Sequence, residues 1–128
     1  MRVLEKYVSL RRKNNQFYQD IFKNVDGVSV LKEPSVDYYS NHWLSCIKVD
    51  KDITGFSRED IRLTLLEDNI ESRPLWKPMH LQPVFKVYDF YGTDVCEKLF
   101  KNGLCLPSGS NLTDDDLQRI RTSINKIL

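Results

Sequence analysis

Glycine and proline are scarce in this sequence, five of each in 128 residues, which excludes collagen-like and low-complexity chains. No apolar run approaches the roughly 18 residues that a membrane-spanning helix requires. The opening Met1-Arg2-Val3-Leu4 does not begin a secretory signal, so the expected compartment is the cytosol. Cysteine is limited to Cys46, Cys96 and Cys105. An odd number without C-x-x-C spacing argues against a disulfide framework and a zinc site, and predicts buried, reduced thiols. An excess of one charge is missing too: 19 Lys and Arg against 18 Asp and Glu leave +1, which gives no general attraction to nucleic acid or an anionic membrane. With two histidines, His42 and His80, and no G-x-S-x-G elbow, a nucleophilic Ser–His or Cys–His triad is a poor reading.

What remains is an ordinary globular composition, 41% hydrophobic and 29% charged, at a length that gives about one domain. Scaling laws give a folded surface of roughly 7,000 Å² against roughly 22,000 Å² for the extended chain, enough burial for one core. From Val3 to Phe22, apolar residues at Val3, Leu4, Tyr7, Leu10, Phe17, Tyr18 and Ile21 follow helical spacing, with Asn14 as a polar gap. Asp26-Gly27 ends this helix and leads into a short strand at 28–31. The helix carries Arg2, Lys6, Arg11, Arg12, Lys13 and Lys23 against Glu5 and Asp20. That excess reads first as a solvated face and, as an alternative, as an anion-binding one.

Trp43 to Val49 alternates Trp43, Ser45, Ile47 and Val49 with Leu44, Cys46 and Lys48, a pattern for a strand within a sheet. Ser57 with Asp60, and Thr113 with Asp116, have capping-box spacing, and Phe56 and Leu112 stand where hydrophobic staples belong. Ile61, Leu65 and Leu66 are expected to form one buried helix face, and Leu117, Ile120, Ile124 and Ile127 the other. Between them come a Pro-containing connection over 71–83, one or two helices within 83–90, and a helix from Thr93 to about Lys101 closed by Asn102-Gly103. A brief strand at Leu104-Cys105-Leu106 and the loop Ser108-Gly109-Ser110-Asn111 follow. The expected fold is α/β (α+β), a small sheet covered by helices.

Asp114-Asp115-Asp116 reads as the acidic first turn of a helix rather than a cation site. Ser108-Gly109-Ser110 lacks the pattern of a phosphate loop and reads as a connection. His42 reads as a strand-end residue. The segment Glu71 to Pro83 is different, because its prolines disfavour a helix while it gathers Arg, Trp, Lys, His and Gln. Arg73 suits a phosphate or carboxylate, Lys77 adds a point charge, Trp76 offers a face for a base or sugar, and His80 can donate to an oxygen. A purely structural loop is the competing reading, since Trp and Met also fill core edges.

The runs "NIESRPLWKPMHLQPVF" and "LFKNGLCLPSGSNLTDDDLQRI", with "RVLEKYVSLRRKNNQFYQDIF" and "SNHWLSCIKVD", closely resemble the C-terminal region of the DegT/DnrJ/EryC1/StrS family of pyridoxal-phosphate-dependent sugar aminotransferases. The branch most resembled acts on UDP-linked 4-keto-6-deoxy-N-acetylhexosamines in surface-polysaccharide synthesis. The resemblance implies a single C-terminal small domain over 1–128, of the kind found in the type I aminotransferase fold. The PLP-binding large domain and its Schiff-base lysine are not among the matched motifs, and Lys77 matches the substrate-side loop instead. Such a chain is expected to be inactive alone, as a natural truncation or an excised fragment. It would hold no cofactor of its own and contribute Arg73, Trp76, Lys77, His80 and Gln82 to a UDP-sugar site, with Arg73 and His80 foremost. The resemblance further implies homodimerisation or docking to an aminotransferase large domain, with no nucleic-acid or membrane partner. A stand-alone interaction or regulatory module derived from that domain is the alternative. The module would carry a polar face where the fragment exposes an apolar one.

Overall fold

The first helix forms where the three-and-four spacing demands it. In the computed structural model, which describes residues 3–128, α1 spans Leu4–Phe22 and buries Asn14, Asn15, Tyr18 and Phe22. Its first turns are not covered: Val3, Leu4 and Tyr7 are exposed. Gly27, at φ +83° with Thr54 and Ile53 packed where a Cβ would stand, makes the turn into β1 (Val28–Val30).

β2 (Ser45–Val49), a short helix α2 (Lys51–Thr54) and α3 (Arg58–Glu67) follow. A two-residue strand β3 (Arg73–Pro74) and two single 3-10 turns, Met79–Leu81 and Pro83–Phe85, lead to α4 (Val95–Asn102), β4 (Gly103–Leu106) and α5 (Asp114–Ile124). Both capping boxes form as spaced: Asp60 accepts the Ser57 N–H at 2.7 Å and Asp116 the Thr113 N–H at 2.9 Å, while each cap hydroxyl accepts in return.

The sheet has the order β1-β2-β4-β3, with antiparallel neighbours throughout. Register places Ser45 opposite Leu106, Cys46 opposite Cys105 and Ile47 opposite Leu104. The residues facing the helices are therefore Ile47, Val49, Leu104 and Leu106, which join Tyr18, Phe22, Ile61, Leu65, Leu117, Ile120 and Ile124 in one core. Cys46 and Cys105 point to the opposite face, by the period of two. This is the small helix-covered sheet that the patterning predicts.

Three local expectations are corrected. Leu66 is 53% exposed, because it lies about 100° around α3 from the buried Leu65. Trp43 stands outside β2 and is 58% exposed. Cys96 is exposed on α4, and only Cys105 of the three thiols is buried. Asn102-Gly103 closes α4 as expected, with Gly103 extended at φ −99° and beginning β4 directly. Glycine is required there for room, since a Cβ would sit 2.2 Å from Leu75 Cδ1 and 2.5 Å from the Leu99 carbonyl.

The accessible surface is 8984 Å², well above the roughly 7,000 Å² expected of a monomer of this mass. Large apolar side chains lie exposed over 84–95, at Val84, Val87, Tyr88, Phe90, Tyr91 and Val95.

Candidate functional site

Arg73 lies on an edge strand, paired with Cys105 of β4, and Pro74 opposes Leu104. A proline is tolerated there because an edge strand, at a position that donates nothing to the ladder, needs no N–H. Leu75 then donates its N–H to the Gly103 carbonyl at 3.4 Å. The chain turns off the sheet at that point, and Trp76 stacks on Trp43, ring centroids 6.0 Å apart and planes 29° from parallel. Beneath the pair is a cleft of about 400 Å³, whose lining includes Trp43, Trp76, Arg73, Glu71, Cys105 and Ser108.

The polar groups of this cleft differ in their freedom. Arg73 Nε and Nη2 donate to one Glu71 oxygen at 2.8 and 2.6 Å, and both side chains are largely exposed. An ion pair so wetted contributes little stability, so an incoming anion can compete for the guanidinium. The Ser108 hydroxyl is committed: it donates to the Leu106 carbonyl and accepts from the Ser45 N–H, both at 2.7 Å. It is a structural tie rather than a nucleophile. Ser72 Oγ is buried at the cleft wall and makes no hydrogen bond among the described residues.

Helix α1 holds both walls in place. Tyr18 donates its hydroxyl to the Pro107 carbonyl at 2.7 Å, and Asn14 Nδ2 to the Gly109 carbonyl at 2.9 Å. The polar gap in the helical stripe is thus a buried contact with the loop after β4. Burial pushes the Tyr18 phenol far above its ordinary range, so it remains an O–H donor. On the other wall Arg11 donates to the Trp43 carbonyl. Arg12 donates to Glu33 at 2.7 Å, and Glu33 also accepts the Ser40 N–H at 3.2 Å and lies 3.2 Å from His42 Nε2. The Arg12 guanidinium holds the Glu33 carboxyl down at about 2. His42 is buried in this clasp, three residues ahead of the start of β2. The basic excess of α1 is therefore partly spent on the protein's own loops and on the start of α5, where Lys13 meets Asp114 at 2.9 Å.

Of the five residues singled out from the sequence, the structure brings Arg73 and Trp76 to one cleft and sets Lys77, His80 and Gln82 outside its lining. His80 Nε2 lies 2.9 Å from Glu97 Oε1 of α4, and its ring stacks on Phe90 at 3.7 Å. Gln82 Nε2 donates to the Lys77 carbonyl at 3.3 Å, and Lys77 itself is exposed. Trp43, Ser72 and Ser108 were not singled out as site residues. Their proximity to Arg73 comes from strand register and α1 contacts, which no local spacing displays.

Comparison with known proteins agrees with this architecture. The pattern of the DegT/DnrJ/EryC1/StrS aminotransferase family matches residues 1–125. A Bacillus subtilis (strain 168) protein described as a pyridoxal phosphate-dependent aminotransferase, EpsN, is 43% identical over 124 residues, covering 94% of this chain and 31% of its own length. The GDP-perosamine synthase of Escherichia coli O157:H7 is 27% identical over 120 residues, with 94% and 31% covered. Among solved structures, a DegT DnrJ EryC1 StrS aminotransferase from Brucella abortus superposes with a TM-score of 0.79 at 26% identity, over 97% of this chain and 32% of that one. The chain spans about a third of the length of these relatives. On a match that runs over residues 1–125, and so through the sheet, its helices and the cleft on the outer face of the sheet, the chain belongs to the DegT/DnrJ/EryC1/StrS aminotransferase family.

Proposed function

We propose that this chain is the C-terminal, substrate-side domain of a pyridoxal-phosphate-dependent nucleotide-sugar aminotransferase of amino-sugar synthesis, inactive by itself. The observation that carries the reading is the uncovered apolar surface over 84–95, together with the exposed start of α1, on a chain that matches a third of its relatives. Surface of that kind on a small domain marks a face that meets another body. It favours the fragment over a free-standing module, whose outer faces would be polar.

The residues of the cleft do not suit pyridoxal phosphate on their own. A transaminase holds that cofactor on a lysine amine, and no lysine lines the cleft, where Arg73 is the cation. The cofactor's chemistry therefore belongs to the remainder of the enzyme. What this chain offers is recognition. The Trp43 and Trp76 faces suit a base or sugar ring, and Arg73 suits a diphosphate, for which it would exchange its exposed Glu71 partner. The substrate class is a nucleoside-diphosphate sugar, and the relative named for GDP-perosamine extends the choice of base beyond uridine. His80, Lys77 and Gln82 act from the adjoining loop once the two parts of the enzyme meet.

Trp43 and Trp76 are the chain's two tryptophans, so its intrinsic indole fluorescence reports on this cleft alone. Titration with UDP-, GDP- and dTDP-hexoses should give a saturable change for at least one, lost in Arg73→Ala. The absence of any saturable change with all three would remove the cleft from substrate recognition. Light scattering tests the domain reading separately: self-association supports it, and a clean monomer at high concentration counts against it.

A further inference from the structure

Cys46 and Cys105 face one another across β2 and β4, with their sulfurs 3.6 Å apart. The ladder fixes which kind of pair they form. The Cys46 carbonyl accepts from Leu31, on the β1 side, at 2.9 Å. Gly103, two residues before Cys105, accepts from Leu75 on the β3 side. Backbone groups of residues two apart point the same way, so Cys105 turns its polar groups toward β3 and Cys46 toward β1. Between β2 and β4 they are a non-hydrogen-bonded pair. Such pairs bring Cα atoms to about 4.5 Å, within the span that a disulfide bridges. Closing the bond requires side-chain rotation and no strand movement.

Both sulfurs lie on the sheet face away from the core, and each residue lines a cleft. Cys105 borders the Trp43–Trp76 cleft. Cys46, half-buried, borders a neighbouring cleft of about 420 Å³ under Tyr38, Tyr39 and His42. The contact between the sulfurs lowers the Cys105 thiol, while the same contact and then burial raise Cys46. Of the two, Cys105 is the sulfur that more readily loses its proton.

We propose that Cys46 and Cys105 form a reversible dithiol–disulfide couple, a modification site beside the substrate cleft that is oxidised by low-molecular-weight disulfides. Cys105, deprotonated and reached through the Trp43–Trp76 cleft that it borders, attacks one sulfur of RSSR, forming a mixed disulfide and releasing RS⁻. Cys46 then gives up its proton and attacks the Cys105 sulfur, the Cys105–SR bond breaks, and a second RS⁻ leaves. Two protein thiols lose two protons and two electrons, and RSSR is reduced to two RSH. The product ties β2 to β4 beside the strand that carries Arg73.

The test uses the folded chain with Cys96→Ser, which removes the exposed third thiol. Oxidised glutathione should yield one monomeric species lighter by two hydrogens, resistant to iodoacetamide, with a single Cys46–Cys105 cross-linked peptide, all reversed by dithiothreitol. Cys46→Ser in the same background should stop at a glutathione adduct on Cys105. Cys105→Ser should likewise give no intramolecular bond if Cys46→Ser fails to fold. Two thiols still alkylated after native oxidation, a persistent mixed disulfide in the two-thiol chain, or a cross-link formed only in urea would overturn the proposal.

Discussion

Replacing Tyr18 with phenylalanine removes one oxygen and nothing else from a side chain that is fully buried. The ring stays in the core beside Phe17, its edge-on neighbour at 5.1 Å. What is lost is the 2.7 Å hydrogen bond to the Pro107 carbonyl. The net value of such a bond is about 0.5–1.5 kcal/mol, and a buried acceptor left without a donor costs a further 1–3 kcal/mol. Pro107 is only half-buried, so water recovers part of that cost. The expected destabilisation is therefore about 1–2 kcal/mol, which for a chain of this size moves a urea midpoint by about 0.5–1 M with m unchanged. Burial keeps the phenol protonated well above its ordinary range, so the difference should persist from about pH 6 to about pH 9. Tyr38→Phe, at a 63% exposed ring, is the control and should shift stability by less than about 0.5 kcal/mol. A Tyr18→Phe midpoint equal to that of the control would refute the claim that α1 secures the loop after β4. Loss of m rather than midpoint would point to the unfolded state instead.

Gly103→Ala should cost about 1–3 kcal/mol by overpacking against Leu75 and the Leu99 carbonyl, read as a lowered thermal midpoint, although φ at this position suits alanine. Acid should destabilise the fold: Glu33 is held at about 2 by Arg12, and Asp60 and Asp116 are lowered by their capping boxes. Depressed carboxyls contribute above their unfolded values near 4 and cease to do so as pH falls toward the folded ones. Urea midpoints should accordingly drop between about pH 4.5 and about pH 2, less steeply in Asp116→Asn. Pyridoxal phosphate with borohydride should leave no stoichiometric lysine adduct by mass spectrometry; a single adduct would show that the chain anchors the cofactor without the rest of the enzyme.

Elements announced by local chemistry were legible before any coordinate. Capping boxes at Ser57 and Thr113 satisfy donors three residues away, so spacing alone displays them. The stripe of α1 predicts its extent, and the acids of 114–116 were read as a helix start, which they are. Where the reading failed, the deciding partner was remote in sequence. Leu66 depends on how wide a face α5 covers, and Cys96 on what packs over α4. Gly103 does stop α4, as Asn-Gly predicts, but its need for room against Leu75 follows from β3 pairing, which no local spacing displays. Resemblance located the segment 71–83 but could not order the residues within it.

The site itself is non-local by construction. Trp43 and Trp76 meet because β2 and β3 both flank β4, and neither lies within a regular element that would fix its direction. Arg73 faces the cleft because it shares a sheet face with Cys105, a fact of register that a one-residue slip would reverse. His80 leaves the same loop to meet Glu97, since the 3-10 turn at 79–81 swings it toward α4. Polar composition therefore singles out the loop, while register decides which of its residues share a cleft. The same register sets Cys46 against Cys105, so the geometry that assembles the cleft also assembles the thiol pair beside it. A change that moved β4 by one residue would be expected to abolish both together.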